Sequence, residues 1–330
     1  MMKLLARFSA WLATLIAVVA AIWAAGALYF DLPAPSAIRN VAAVVWLLGF
    51  ILAWFWLPHR RWYRLIVGVV FLCILGWWLS IPPRQDRDWK PDVAVLPNAV
   101  IEGDQITINK VRNFDWRSLT DFTPRYDTRT YNLNRLQGAD LFLIYWGSPL
   151  IAHSIASFDF GEQGRICFSI ETRPERGKAY SAIGGLYRQF ELIYVAADER
   201  DAIRVRTTVR KDEEVYLYHL NLPLEEIRTR FLEYLRRTNQ LHDRPEWYNA
   251  VTSNCTTNIR TQHVVAKPLP WDWRILVDGK GDELLYERGV LDRSVPFAEL
   301  KRRVHINSRA KAADNSPDFS ERIRSEAALR

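Results

Sequence analysis

Residues 151–171, IAHSIASFDFGEQGRICFSIE, predict a β-hairpin, because two runs of alternating apolar and polar residues flank a short segment bounded by glycines. With a three-residue loop, Phe158 faces Ile166 and one side of the hairpin is mainly apolar. On the other side, His153 faces Glu171. A slip of one residue would mix polar and apolar side chains on both faces. The sequence therefore favours the register that makes His153 and Glu171 cross-strand neighbours.

Stretches with the same alternation lie on both sides of this hairpin and predict further strands at 99–108, 140–146, 191–196 and 215–220. Residues 224–239 predict an amphipathic helix, since Ile227, Phe231 and Leu235 share one face and charged residues occupy the other. A second helix is predicted to begin near Cys255. The fold class expected for residues 98–307 is therefore α+β, with an antiparallel sheet and helices.

The first quarter of the chain is almost free of charge and predicts a three-helix membrane anchor over residues 1–82. The stretches 4–30, 37–57 and 62–81 are each long and apolar enough to cross the hydrocarbon core of a bilayer. A cleavable signal peptide is the alternative for the first stretch. Because two further spans follow it, a membrane anchor is favoured.

Basic residues in the short loops predict the orientation of these spans. Lys3 and Arg7 lie at the amino terminus, and Arg60 and Arg61 lie in the second loop. The positive-inside rule places both regions in the cytoplasm. We therefore expect a bacterial inner-membrane protein with a cytoplasmic amino terminus and a periplasmic carboxy-terminal domain.

Proline and charge over residues 83–97 predict a linker between the anchor and the domain, and residues 308–330 are polar enough to predict a disordered tail. The formal net charge is +7, but basic and acidic residues are interleaved, as in DERD at 198–201. This pattern excludes a nucleic-acid partner and suits anionic lipid head groups. The remaining histidines lack metal-ligand spacing, so neither a metal nor a cofactor is expected. The sequence identifies no protein partner.

The three cysteines have different expected roles. Cys73 lies in a membrane stretch, and Cys167 sits between apolar neighbours on a strand and is expected to be packed. Cys255 follows Ser253 and Asn254, which are good helix N-caps, so it would occupy the first turn of a helix. Backbone N–H groups and the helix dipole there favour a thiolate. A disulfide between Cys167 and Cys255 is the competing possibility.

These residues supply the parts for nucleophilic acyl transfer. Cys255 is the candidate nucleophile, His153 the base and later acid, and Glu171 the group that orients the imidazole. Packed, inert roles for the cysteine and the histidine are the alternative. The residues expected to support the site are Ser253, Asn254, Thr256 and Tyr145.

Several motifs together resemble a known family: YWG at 145–147, IAHS at 151–154, DERD at 198–201 and NCTT at 254–257. They are similar to the periplasmic domain at the amino terminus of the Lnb lipoprotein N-acyltransferases. The resemblance implies a circularly permuted, NlpC-type papain-like fold, whose cysteine and histidine map onto Cys255 and His153. Glu171 is a geometric inference and does not come from the family. In Lnb proteins the membrane helices follow this domain, whereas here they precede it.

The resulting functional expectation is a membrane-tethered, cysteine-dependent acyltransferase or hydrolase that acts on acyl groups of a phospholipid or lipoprotein. Cleavage of peptidoglycan stem peptides, as in NlpC-type enzymes, is the first alternative. The second is a non-catalytic envelope protein that uses the domain to bind a partner.

Overall fold

The computed structural model describes residues 2–57, 60–253, 272, 274, 278–314 and 316–325. The chain forms two compact units. The first contains residues 1–85 and 179–191, and the second contains residues 86–178 and 192–330.

The first unit is built on three apolar helices: α1 (Met2–Asp31), α2 (Ser36–Ile51), which a π-helical turn extends to Trp56, and α3 (Arg60–Ser80). Each is long and apolar enough to cross a membrane. The small side chains of Ala21 and Ala24 allow α2 to pack closely, and the Trp46 indole donates to the Ala21 carbonyl at 2.8 Å. The three predicted membrane helices are thereby confirmed.

Strands make up most of the second unit. They are β1 (Asn98–Glu102), β2 (Gln105–Arg112), β3 (Asp115–Trp116), β4 (Phe122–Thr123), β5 (Tyr126–Asn132), β6 (Gly138–Trp146), β7 (Ala152–Asp159), β8 (Arg165–Arg173), β9 (Glu191–Ala197) and β10 (Glu213–His219). An eight-stranded sheet has the order β1-β2-β9-β8-β7-β6-β10, with β5 paired to β2, and β3 and β4 form a separate pair. Pairing is mostly antiparallel, with a parallel contact between β2 and β9. With the helices, this confirms the α+β class.

The predicted hairpin is β7 and β8 in the expected register. Phe158 lies opposite Ile166, and Asp159 lies opposite Arg165. The three-residue turn Gly161–Gln163 joins them. Gly161 has a φ of 61°, which favours a residue without a Cβ.

Helices cover both faces of this sheet. They are α4 (Glu199–Ala202), α5 (Leu224–Asp243), α6 (Gly281–Glu287), α7 (Phe297–Arg303), α8 (Asn307–Ala312) and α9 (Phe319–Arg322). On one face, Phe231 of α5 packs edge-on against Phe158, with ring centroids 5.1 Å apart. On the other face, Ile155 and Cys167 share a core cluster with Phe319 of α9. The hairpin side that carries His153 is therefore also covered by protein.

Three expectations about segments need correction. The strand predicted at 99–108 is two strands, because the chain turns at Gly103, which has a φ of 61°. The predicted linker, 83–97, packs into the second unit from residue 86, and Val93 is 7% exposed. The predicted disordered tail is wrong for its described residues, since Phe319 and Ile323 are buried in the core. The average hydropathy of residues 308–330 is low, so it does not reveal that a few apolar residues of this segment share one face.

Phe319 offers a test of this packing. Phe319→Ala should destabilise the second unit by about 3–5 kcal/mol, because the substitution removes a fully buried ring and leaves a cavity. Urea unfolding of the full chain in detergent, followed by circular dichroism, measures the change. Leu119→Ala, at a side chain that is 50% exposed, is the control and should shift stability by less than about 0.5 kcal/mol. Equal midpoints for the two variants would contradict the packing.

Candidate active site

Three side chains meet in the sheet where β7 begins and β8 ends. His153 Nε2 lies 2.7 Å from Ser169 Oγ and 3.1 Å from Glu171 Oε1. The Ser169 hydroxyl donates to the same Glu171 oxygen at 2.6 Å. His153 and Ser169 are buried, whereas Glu171 is half-buried. The geometry therefore brings the predicted histidine and carboxylate together through a serine.

This hydrogen-bond network determines which ring nitrogen of His153 carries the proton. A carboxylate only accepts, and the single hydroxyl hydrogen of Ser169 is directed to Glu171. Ser169 must therefore accept a hydrogen from Nε2 of His153. The neutral imidazole then keeps its basic lone pair on Nδ1, which has no hydrogen-bond partner among the described residues.

Arg206 neutralises the carboxylate from the other side. Its Nη2 donates to Glu171 Oε1 at 2.8 Å, and its Nη1 contacts Glu213 at 3.3 Å. Arg210 also donates to Glu213, at 2.8 Å. Burial alone would raise the pKa of Glu171, but the positive charge that His153 carries when its ring is protonated, the charge of Arg206, and hydrogen bonds from His153 and Ser169 hold that pKa well below its usual range. Glu171 is therefore a carboxylate at neutral pH.

Ser169 and Arg206 are not predicted as site residues from the sequence. Ser169 could have been predicted from the sequence, because residues two apart on a strand share a face and Ser169 lies two residues before Glu171. Arg206 lies in a π-helical turn, Val205–Val209, which carries no periodic signal. Only the fold brings it to Glu171.

Tyr145, a predicted supporting residue, does not join this cluster. Ile144 pairs directly with His153, so Tyr145 lies on the opposite face of β6. Its hydroxyl donates to Asp282 at 2.8 Å. Lys301 also donates to Asp282, at 2.7 Å, so this cluster ties β6 to α6 and α7.

Cys255, Asn254 and Thr256 lie outside the described residues. Ser253, the last described residue before them, closes a tight turn in which its backbone N–H donates to the Asn249 carbonyl at 2.9 Å. The Asn249 side chain accepts from the N–H groups of Val251 and Thr252, each at 3.0 Å. Asn249 thus fixes the path of the chain two residues before the cysteine motif begins.

The chain that enters this turn is anchored near the carboxyl end of β8. Arg87 forms an ion pair with Glu175 at 2.6 Å and lies over the Trp247 ring, 5.3 Å from its centroid. Glu175 follows Glu171 by four residues. The Glu246 carbonyl accepts from Leu192 of β9 at 2.8 Å. The segment before Cys255 therefore approaches the end of the sheet where β8 terminates.

After residue 277 the chain returns to the start of β7. The Gly279 N–H donates to the Leu150 carbonyl at 3.2 Å. A Cβ at Gly279 would lie within 3.0 Å of the backbone of Pro149, Leu150 and Ile151. Ile151 is two residues from His153, so the described residues after 277 pack against the chain just before His153.

Among the described residues, Cys167 is a free, buried thiol. Burial raises its pKa well above the usual range, as expected of a packed residue. Among the described residues, His, Cys, Asp and Glu side chains form no group that would hold a metal ion.

The fold and this site together define a membrane-anchored α+β domain with a buried histidine held by a serine and a carboxylate. Residues 122–279 match the family model described as the Lnb N-terminal periplasmic domain. The resemblance seen in the sequence is thereby confirmed, and the chain is a membrane protein with a periplasmic domain. Neither a curated protein nor a solved structure matches the chain.

Gly279 tests the return of the chain to β7. Gly279→Ala should cost about 1–3 kcal/mol of stability, because its Cβ would meet backbone atoms that have little freedom to move. Thermal unfolding of the full chain measures this. The control is Gly281→Ala, two residues later, where a Cβ would meet nothing within 4 Å. If the two substitutions had the same effect, the close approach to Leu150 would be wrong.

Glu171 predicts a pH dependence of stability. Since its pKa is lower in the folded than in the unfolded chain, its ionised form stabilises the fold fully above the unfolded value of about 4.3. That stabilisation is lost as pH falls through the folded-state pKa. Glu171→Gln should therefore be less stable than the parent at pH 7, with the difference shrinking below about pH 4.

Unfolding midpoints of the parent and of Glu171→Gln, measured across this pH range, provide the test. The control is Glu162→Gln in the turn of the same hairpin, where the side chain is exposed. A difference for Glu171→Gln that stays constant with pH would contradict the assignment.

Proposed function

We propose that this protein is a cysteine-dependent acyltransferase or hydrolase of the bacterial envelope, which takes an acyl group from a phospholipid or lipoprotein. In the first half-reaction, Cys255 transfers its thiol proton to His153 Nδ1 and attacks the ester carbonyl carbon. The ester C–O bond breaks, and the leaving alcohol takes the proton back from Nδ1. An acyl thioester on Cys255 results.

In the second half-reaction, an amine or water attacks the thioester carbonyl and gives a proton to Nδ1. The C–S bond breaks, and the Cys255 sulfur regains the proton. An amine acceptor makes the reaction N-acyl transfer, and water makes it hydrolysis. No external oxidant or cofactor enters either step.

The observation that carries this proposal is the arrangement around His153. Its Nε2 is occupied by Ser169 and Glu171, so the free lone pair is on Nδ1. A carboxylate behind the imidazole stabilises the imidazolium that forms when Nδ1 takes a proton. A histidine that served only packing would not require this tautomer or this charged neighbour.

Two further features support a role for Cys255. The chain segments before and after residues 254–277 lie near Glu175 and Leu150, which are close in sequence to Glu171 and His153. The match to the Lnb periplasmic domain family also spans both His153 and Cys255.

Membrane attachment fits a lipid substrate. A tether raises the effective concentration of a bilayer-resident substrate around the domain. The basic residues at the amino terminus and in the second loop support a cytoplasmic amino terminus, which leaves the domain in the periplasm.

The test uses the full chain in liposomes that contain phosphatidylethanolamine and a synthetic diacylated lipopeptide. We expect the parent protein to form lysolipid together with N-acylated peptide or free fatty acid, detected by mass spectrometry. Cys255→Ala should abolish these products, and His153→Ala should slow them by about 10²–10⁴-fold, because the base is lost. Cys73→Ser and His242→Ala are the matched controls and should retain activity.

The same samples separate the alternatives. Unchanged lipid turnover in Cys255→Ala would end the lipid proposal. Cleavage of peptidoglycan stem peptides by the parent, lost in Cys255→Ala, would favour the NlpC-type alternative. Failure of iodoacetamide to label Cys255, with no reaction on either substrate, would favour a non-catalytic binding protein.

A further inference from the structure

The connection between β8 and β9 contains an excursion, residues 179–191, that belongs to the same compact unit as the membrane helices. Gln189 donates to the Asp31 carboxylate at 2.6 Å and to the Phe30 carbonyl at 2.9 Å. The Arg188 backbone N–H donates to the same carboxylate at 3.2 Å. Asp31 ends α1, so these bonds fix the excursion at the end of a membrane span.

Helix α3 holds the excursion as well. The Arg188 guanidinium donates to the Ile81 carbonyl, just past the end of α3, and lies 4.3 Å from the centroid of the Trp78 ring. The Trp78 indole in turn donates to Asp31 at 2.7 Å. The excursion therefore joins the ends of two spans that finish on the same side of the membrane.

Tyr187 shows how deep the excursion reaches. Its ring stacks on Phe30 with centroids 4.9 Å apart, and its hydroxyl donates to the Trp23 carbonyl at 3.4 Å. Trp23 lies eight residues before Asp31, which corresponds to roughly 12 Å along the helix axis. Gly26 provides the space, because a Cβ there would lie within 3.0 Å of the Tyr187 ring. The hydroxyl thus lies beside the apolar helical stretch Lys3–Asp31, which is long enough to cross a membrane.

Three other side chains of the excursion are exposed although they are large and largely apolar. Tyr180 is 51% exposed, Ile183 is 62% exposed and Leu186 is 38% exposed. Such a cluster on a short segment is unfavourable in water and typical of a surface that contacts another apolar phase. A bilayer is the apolar phase at this depth, because the neighbouring Tyr187 already lies alongside α1.

We propose that residues 179–191 form a lipid-binding surface. Tyr180, Ile183 and Leu186 insert between the phospholipid head groups of the periplasmic leaflet, at the boundary between glycerol and acyl chains. Aromatic side chains with an apolar ring and a polar group are enriched in this zone, and aliphatic side chains bury their apolar surface there. The proposal does not depend on Cys255. The lipid-binding surface begins at residue 179, eight residues after Glu171 in the chain.

The test places a fluorophore on the surface. Ile183→Cys, in a Cys73→Ser and Cys255→Ser background, is labelled with an environment-sensitive dye, because Cys167 is fully buried. The full chain is placed in nanodiscs of phosphatidylethanolamine and phosphatidylglycerol. We expect a lipid carrying a quencher near its head group to remove most of the fluorescence, with little loss to aqueous iodide. Stronger quenching by iodide than by the lipid quencher would overturn the proposal.

A pair of glycine substitutions tests the docking itself. Gly26→Ala should displace Tyr187 and shift the label from lipid quenching towards iodide quenching. Gly76→Ala in α3, where a Cβ meets nothing within 4 Å, should leave both signals unchanged. Unchanged lipid quenching in Gly26→Ala would overturn the docking geometry. Because the background lacks Cys255, these readouts are independent of any acyl chemistry.

Discussion

The register of β7 against β8 is the constraint on which the rest of the second unit depends. A shift of β7 by one residue would move every side chain of that strand to the opposite face. Phe158 would leave the aromatic core under α5, and Ile155 would leave the cluster under the carboxy-terminal helices. The same shift would separate His153 from Ser169 and Glu171. The packing on both faces of the hairpin thus also fixes the relative positions of His153, Ser169 and Glu171.

Buried carboxylates fasten the remaining elements to this sheet. Arg324 binds Asp140 at 2.8 Å and Glu199 at 2.5 Å, and both acids are buried. Asp201 accepts from Arg112 through both of its oxygens, at 3.0 Å each. Removing charges from water is costly unless each is paired and hydrogen-bonded, so such pairs disfavour other arrangements of the chain. The pair formed by Arg324 explains why a polar carboxy-terminal segment folds over the sheet.

The described part of the candidate site lies on a rigid framework. His153, Ser169 and Glu171 lie on neighbouring strands of the sheet, where their positions follow from backbone hydrogen bonds. On either side of residues 254–277, the described chain is held at Asn249 and at Gly279. A base with a fixed tautomer requires such a rigid setting, because proton transfer depends on the direction of one lone pair.

The sequence alone determined the three membrane spans, the hairpin and its register, the long helix predicted at 224–239 and the family resemblance, because these depend on local periodicity and on short motifs. Only the tertiary structure decided which polar side chains meet. Arg206 reaches Glu171 from a turn without periodic signal, and Tyr145 turns away from His153 to bind Asp282. Such contacts depend on strand order and on packing between segments far apart in the chain, which no local pattern encodes. The same reason explains why residues 308–330 are predicted to be disordered from the sequence, whereas the described part of this segment, 308–314 and 316–325, is folded.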